Sequence, residues 1–172
     1  SLINGDILER RNGVELFRSN ISSLINLPGD HNLMNACMAY IACKLIQKEP
    51  VEILSKMKNF KSLPHRSAFV RKINDITFIN DSKATNMDSA LKSISAYDSI
   101  RWIVGGQKKE GDHFKIQPYE KKIKKIYIIG TTAIELSKLF EGMKNSVCIN
   151  LKKAVQEAYK DSEPGDTILL AP

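Results

Sequence analysis

The second half of the chain alternates segments typical of buried strands with segments typical of amphipathic helices. Apolar runs rich in β-branched and aromatic residues lie at 76–79, 101–104, 125–129, 146–149 and 166–170. Between them the periodicity is helical. From Met87, for example, apolar residues recur at Ala90, Leu91 and Ile94 and so share one helical face. Because strands that alternate with helices form a parallel sheet covered on both faces, we predict an α/β fold with a Rossmann-like, mostly parallel sheet over residues 62–172.

The first part of the chain predicts a partial α+β segment, a hairpin followed by helices. Asn12-Gly13 separates two runs of strand formers within residues 7–18, which is typical of a type I′ hairpin. Residues 31–46 are apolar on nearly every side and predict a buried helix, and a second helix should begin at Pro50. A further hairpin is expected over residues 69–80. We place the domain boundary after residue 61, so that residues 1–61 are the end of another domain.

Composition excludes several classes of protein. No apolar run approaches the length of a membrane span, and the three cysteines form no CxxC pair, which favours reduced thiols in the cytoplasm. The net charge of +7 permits an anionic partner. However, the lysines are dispersed without interleaved aromatic residues, so a solvated basic surface is favoured over a nucleic-acid groove.

Both ends of the chain suggest a piece of a longer protein. It begins with Ser1 and runs directly into strand-like sequence, and it ends with a buried strand followed by Ala171-Pro172. A doubly wound sheet normally continues such a strand into another loop and helix. We therefore expect a fragment whose second domain is truncated at its end.

A polar turn between the 76–79 strand and the following helix is the best candidate for a ligand site. It reads Asn80-Asp81-Ser82-Lys83-Ala84-Thr85-Asn86. Ligands of open α/β sheets bind at this kind of junction, where free N–H groups and the helix dipole point outwards. Capping of the helix by Thr85 or Asn86 is the structural alternative, but it leaves Asp81 and Lys83 unexplained.

Three other segments carry side chains suited to ligands. His65-Arg66, in the interdomain turn, offers donors for phosphate or carboxylate. The loop from Gly105 to Asp112 matches neither the dinucleotide nor the P-loop fingerprint, and spacing leaves open a surface loop or a lid that offers a lysine. Asn32 and Asn35 share a helical face; capping explains Asn32, whereas Asn35 in an apolar helix needs a partner, either backbone or a bound base.

Four of these segments together, and in this order, resemble the Mur ligases. They are Pro28-Gly29-Asp30-His31-Asn32-Leu33-Met34-Asn35-Ala36, Leu63-Pro64-His65-Arg66, the Asn80–Asn86 turn, and Gly105-Gly106 followed by Lys109. Within that family the chain is most similar to the enzymes of peptidoglycan synthesis that join D-glutamate to UDP-N-acetylmuramoyl-L-alanine. The resemblance implies the end of a central ATP-binding domain over 1–61 and a Rossmann-like C-terminal ligase domain over 62–172.

The resemblance also implies a chemistry. ATP with Mg²⁺ phosphorylates the carboxylate of UDP-N-acetylmuramoyl-L-alanine, and the amine of D-glutamate attacks the acyl phosphate. Domain closure, which suits a hinge at Leu63-Pro64, brings the two halves of such a site together. By the same resemblance the nucleotide-binding residues are Asn32, Asn35, Arg66, Asp81 and Lys83, the catalytic residues are His65 and Lys109, and the residues that bind D-glutamate are Thr85 and Lys109.

Some of the family's elements fall outside this chain. The resemblance places the P-loop, a carbamylated lysine and the main magnesium ligands before Ser1, so we expect no metal ligands here and an inactive fragment. Lys108 could take the role of Lys109. We expect a monomer that binds neither nucleic acid nor membrane. The alternatives are another Mur-type ligase such as folylpolyglutamate synthase, a non-catalytic nucleotide-binding α/β module, or a basic nucleic-acid-binding protein.

Overall fold

The computed structural model describes residues 1–23, 28–106 and 116–172. The chain divides into two compact units, Ser1–Ser62 and Leu63–Pro172. The division follows Ser62, where the sequence predicts a boundary after residue 61. The assignment of the two units to a central ATP-binding domain and a C-terminal ligase domain stays a prediction.

The first unit begins with a three-stranded antiparallel sheet. Its strands are β1 (Leu2–Ile3), β2 (Asp6–Arg11) and β3 (Val14–Asn20), in that spatial order. Asn12 and Gly13 join β2 to β3 with φ values of 51° and 82°. Two consecutive positive φ angles are what a type I′ turn requires. The predicted hairpin is therefore confirmed.

Two helices follow in this unit, α1 (Asp30–Leu45) and α2 (Pro50–Lys58). The prediction that the first helix is buried is wrong. On α1 only Ala36, Cys37 and Tyr40 are buried, where they pack with residues such as Ile7 and Ile53. Four other large apolar side chains are exposed because, within the described residues of this unit, the core contacts one face of the helix. They are Met34, Met38, Ile41 and Leu45.

The second unit is built on a six-stranded sheet. The strands are β4 (Ala68–Ile73), β5 (Ile76–Asn80), β6 (Ile100–Gly105), β7 (Ile123–Ile129), β8 (Asn145–Val147) and β9 (Thr167–Leu170). Their spatial order is β4-β5-β9-β6-β7-β8, and every neighbouring pair is parallel except β4 and β5. This confirms the predicted α/β fold with a mostly parallel sheet, and it confirms the second hairpin.

Helices cover both faces of this sheet. Because neighbouring residues in a strand point to opposite faces, Trp102 and Ile103 of β6 belong to different cores. Trp102 packs with α3 (Met87–Ser95) and α4 (Ala133–Leu139), whereas Ile103 packs with α5 (Leu151–Asp161). A 3-10 helix at Gln117–Lys122 leads into β7. In the described part of the chain, no helix is both long and apolar enough to cross a bilayer.

The parallel arrangement decides where a ligand site can lie. The carboxyl ends of β5, β9, β6 and β7 meet at one edge of the sheet because these four strands are adjacent and parallel. The polar turn after β5 and the two glycines at the end of β6, Gly105 and Gly106, therefore lie at the same edge. Open α/β sheets bind their ligands in this position.

Gly105 tests how tightly β6 and β7 approach each other at that edge. A Cβ atom at this position would lie 2.3 Å from the backbone oxygen of Ile129 and 2.6 Å from its Cγ1. We expect Gly105→Ala to lower the free energy of unfolding by about 2 kcal/mol, since an added methyl here must displace backbone. Urea denaturation of the 172-residue chain, followed by the fluorescence of Trp102, measures this.

Gly142→Ala is the matched control for Gly105→Ala. A Cβ atom at Gly142 meets no atom within 4 Å, although its φ of 98° is unfavourable for a side chain. Gly142→Ala should therefore lower the free energy of unfolding by about 1 kcal/mol, through backbone strain alone. Equal losses for the two variants would contradict a steric role for Gly105.

Candidate functional site

The turn between β5 and α3 is open to solvent. Lys83 and Thr85 are exposed, whereas Asp81, two residues before Lys83, and Ala84, between the two, are buried. Asn86 is the N-cap of α3, and its side-chain oxygen accepts a hydrogen bond from the backbone N–H of Ser89 at 2.9 Å. The cap fixes the start of the helix and leaves the ammonium of Lys83 and the hydroxyl of Thr85 facing outwards.

Asp81 anchors this turn. Its backbone N–H donates to the carbonyl of Leu170 at 2.8 Å, which extends the pairing of β5 with β9 by one residue. Its side chain is only 8% exposed. The carboxylate accepts hydrogen bonds from the backbone N–H of Ser67 at 3.1 Å, from the hydroxyl of Ser67 at 3.5 Å and from the hydroxyl of Ser93. A buried carboxylate needs such donors because burial of an unpaired charge is costly.

The segment from His65 to Ser67 forms a second turn beside the first. His65 and Ser67 have φ values of 66° and 43°, a left-handed conformation that costs a residue with a side chain about 1–2 kcal/mol. The carbonyl of His65 accepts from the backbone N–H of Lys83 at 3.0 Å. Together with the bond from Ser67 to Asp81, this holds the turn in its strained conformation. Arg66 lies between the two anchored residues and is exposed.

The His65 ring is oriented by Asn80. The Asn80 side-chain oxygen accepts from the backbone N–H of Ser82 at 3.0 Å, so its NH₂ group is the one that faces His65 Nδ1, also at 3.0 Å. An NH₂ group can only donate, so Nδ1 must be the acceptor. The neutral imidazole then carries its proton on Nε2 and can present an N–H donor to a ligand.

The two turns together form a cationic surface at the amino end of α3. Arg66 and Lys83 are exposed there, and among the described residues no carboxylate lies within ion-pair distance of the Lys83 ammonium. Burial is the main reason, and the charge of Asp81 the second, that the pKa of Tyr97 is raised to about 12. The Tyr97 phenol therefore stays neutral beside this carboxylate. Arginine, lysine and a helix amino terminus together are suited to bind phosphate or carboxylate groups.

The loops after β6 and β7 are joined at the same edge of the sheet. The hydroxyl of Thr132, at the start of α4, donates to the carbonyl of Gly106. A Cβ atom at Gly130 would lie 3.3 Å from the backbone nitrogen of Gly106, so the two loops approach closely. Lys108 and Lys109, which the sequence offers as D-glutamate ligands, lie outside the described residues.

Asn32 and Asn35 of the first unit do not have the roles in helix α1 that the sequence predicts. The N-cap of α1 is Gly29, and the Asn32 side chain donates to the carbonyl of Pro28 at 2.8 Å rather than capping the helix. Asn35 is exposed, so it does not need the buried partner that the sequence suggested. The reason is that α1 buries one face only in this unit, and Asn35 lies outside that face.

Two residues of this site, Ser67 and Ser93, are missing from the sequence-based set. Ser93 carried a signal: it follows Ala90 by three residues and precedes Ile94, so it lies on the buried face of α3, where a hydroxyl requires a partner. Ser67 carried none, because its contact with Asp81 depends on how the two turns meet. In the described part of the chain no cluster of three or more metal-binding side chains occurs, and Cys37, Cys43 and Cys148 are free thiols.

Comparison with known protein families decides the class. The glutamate ligase domain family of the Mur ligases matches residues 65–172, which include both turns and all six strands of the second unit. This chain belongs to the Mur ligase family. The predicted resemblance is confirmed at that level.

Two curated relatives of this Mur ligase chain carry the same name. Proteins from Dinoroseobacter shibae and Ruegeria pomeroyi, each named UDP-N-acetylmuramoylalanine–D-glutamate ligase, are 43% and 40% identical to it over 168 residues. That alignment covers 98% of this chain and 36% of each relative. The chain therefore spans about a third of the length of the curated relatives that it matches.

Solved structures show the same fold in two more distant proteins. A UDP-N-acetylmuramate–alanine ligase from Thermotoga maritima matches with a TM-score of 0.69 at 14% identity, over 94% of this chain and 38% of that one. A bifunctional folylpolyglutamate synthase/dihydrofolate synthase from Yersinia pestis matches with a TM-score of 0.62 at 15% identity, over 94% and 39%. At such identities the likeness establishes the fold alone.

Proposed function

We propose that this chain is part of an enzyme that ligates D-glutamate to UDP-N-acetylmuramoyl-L-alanine with ATP. The observation that carries the proposal is the pair of adjoining turns at the carboxyl edge of the sheet, which expose Arg66 and Lys83 around the anchored Asp81. The name shared by the curated relatives supports the choice of D-glutamate. The product would be a precursor of peptidoglycan.

The proposed reaction has two steps. The carboxylate of UDP-N-acetylmuramoyl-L-alanine attacks the terminal phosphate of ATP, which forms an acyl phosphate and releases ADP. The amine of D-glutamate then attacks the acyl carbon, and the carbon–oxygen bond to phosphate breaks as the amide forms. Both steps bring anions together, so exposed cations at the site would lower their electrostatic cost.

The residues of the chain divide among these tasks. We assign Arg66, Asp81 and Lys83 to the nucleotide, and His65, with its outward N–H donor, to the neighbourhood of the reacting groups. Asn32 and Asn35 of the first unit would contact the adenine. Thr85, exposed beside Lys83, would donate to a carboxylate of D-glutamate together with Lys109 or its neighbour Lys108.

ATP and Mg²⁺ are the proposed cofactors, and the main ligands of the metal would lie in a part of the enzyme that this chain does not include. The proposed location is the cytoplasm, which the free thiols of Cys37, Cys43 and Cys148 support. We further propose a monomer with no nucleic-acid or membrane partner. The folylpolyglutamate synthase alternative shares only the fold, whereas the close sequence relatives are named as D-glutamate ligases.

An assay of the full-length protein tests the proposed function. We expect release of phosphate from ATP that requires both UDP-N-acetylmuramoyl-L-alanine and D-glutamate, with formation of the amide product seen by mass spectrometry. The 172-residue chain alone should show no turnover. Turnover with L-glutamate and a folate in place of these substrates would contradict the proposal and favour a folylpolyglutamate synthase. Turnover by the 172 residues alone would contradict the proposal that part of the active site lies outside this chain.

A further inference from the structure

Ser93 is a buried polar residue that the proposed chemistry does not use. Its side chain is 1% exposed and lies on the apolar face of α3, so it cannot touch a ligand. Its hydroxyl donates to Asp81 Oδ2 and also lies 3.3 Å from the hydroxyl of Ser67. Three polar side chains from α3, from the end of β5 and from the turn before β4 therefore meet at one buried point.

This cluster connects the helix to the turn that carries Arg66. Asp81 Oδ2 accepts from Ser93, and Asp81 Oδ1 accepts from the backbone N–H of Ser67 at 3.1 Å. Ser67 follows Arg66 directly and has the positive φ of 43°. A hydrogen bond to a carboxylate restricts the rotation of that carboxylate, so removal of the Ser93 hydroxyl frees Asp81 to turn and weakens its hold on Ser67.

A carboxylate can accept about four hydrogen bonds, and the described residues supply three donors to Asp81. Oδ1 accepts only the Ser67 N–H among them, so it has capacity left for a ligand donor. Fixing the carboxylate therefore sets two things at once: the direction of this remaining acceptor and the position of the Arg66 turn.

We propose that Ser93 is a positioning residue of the nucleotide site, which acts through Asp81 on Ser67 and Arg66. This inference depends on one part of the proposed function, namely that the ligand of the two turns is a nucleotide. Ser93 orders the two turns before the nucleotide arrives, so the binding of the nucleotide does not have to supply that ordering.

The first test measures nucleotide affinity in the full-length protein. We expect Ser93→Ala to weaken ADP binding about tenfold by calorimetry and to raise the KM for ATP by a similar factor, with kcat changed less than about threefold. Ser93→Thr keeps the hydroxyl and should restore most of the affinity. Ser95→Ala is the control, because the Ser95 hydroxyl on the same helix donates to the carbonyl of Lys92 and does not reach Asp81.

A double-mutant cycle separates positioning from a general loss of structure. If Ser93 acts through Arg66, then Ser93→Ala in an Arg66→Ala background should change ADP affinity less than about twofold, since coupled residues are not additive. Additive losses, or an ADP affinity in Ser93→Ala within twofold of the parent, would overturn the proposal. If Ser93→Ala does not fold, Ser67→Ala removes a less buried hydroxyl of the same cluster and should weaken ADP binding about threefold. No loss there would also overturn it.

The outcomes keep the two proposals apart. Absence of D-glutamate ligation by the parent protein, with a tenfold loss of ADP affinity in Ser93→Ala, would refute the proposed reaction and support the positioning role. Normal ligation by the parent protein, with unchanged ADP affinity in Ser93→Ala, would support the proposed reaction and refute the positioning role.

Discussion

Replacement of Asp166 by asparagine should lower the free energy of unfolding of the chain by about 3 kcal/mol. Asp166 is 1% exposed and directly precedes β9, and its carboxylate contacts Arg101 Nε at 3.0 Å and Lys124 Nζ at 2.7 Å. The backbone N–H of Glu163 also donates to it at 3.0 Å. Burial opposes ionisation of this carboxyl, but the bonds from Lys124, Glu163 and Arg101 outweigh it and hold the pKa of Asp166 below its usual value. Asparagine would leave the largely buried Arg101 without its counter-charge.

Urea denaturation of the 172-residue chain, followed by the fluorescence of the buried Trp102, measures the loss. Asp98→Asn is the matched control, since Asp98 pairs with Lys122 at 3.1 Å but is 82% exposed. An exposed ion pair of this kind contributes less than about 1 kcal/mol. The same denaturation midpoint for the two variants would show that the Asp166 network does not stabilise the sheet.

Removal of the Lys83 ammonium should have the largest effect on activity. In the full-length protein we expect Lys83→Ala to lower kcat/KM for ATP about 100-fold, because a preorganised donor to developing negative charge is lost. The side chain is exposed, so the substitution leaves the core unchanged. The midpoint of thermal unfolding should therefore stay within about 1 °C, because surface substitutions away from buried features change stability little.

Lys92→Ala is the control for charge alone. Lys92 is also exposed, in the last turn of α3, away from the amino end of the helix where Lys83 lies. It should change kcat/KM less than about twofold, since it keeps the site intact and alters only the net charge. Equal losses in the two variants would mean that the overall field, rather than a contact of Lys83, drives binding.

Hydrophobic periodicity was sufficient to predict the sheet and its hairpins. The runs at 101–104 and 125–129 are too continuous for a half-exposed strand, and β6 and β7 are indeed buried on both faces. Asn12-Gly13 predicted its turn because few other residues tolerate two positive φ angles. The burial of α1 could not be predicted in this way, because an apolar helix surface says nothing about which neighbours are present to cover it.

Residue type and position single out the polar turn after β5 as a proposed ligand site, but they do not predict which of its side chains are buried. Lys83 and Asp81 are two residues apart in the chain, yet one is exposed and the other nearly buried. Their difference arises from partners distant in sequence: Ser67, Ser93 and Leu170 reach Asp81 across 14, 12 and 89 positions. Local spacing carries no information about such contacts.

The amino-acid sequence alone predicted the strands, the helices and the family, since all of these depend on local periodicity and on short motifs. Folding in three dimensions added the acceptor role of the His65 Nδ1 atom, the buried serine cluster at Asp81 and the ion pairs at Asp166. These depend on side chains that meet only when the strands of the sheet, the turn before β4 and α3 pack together. Hydrogen bonds between distant segments are set by the distances and angles of the folded chain, which no pattern of neighbouring residues encodes.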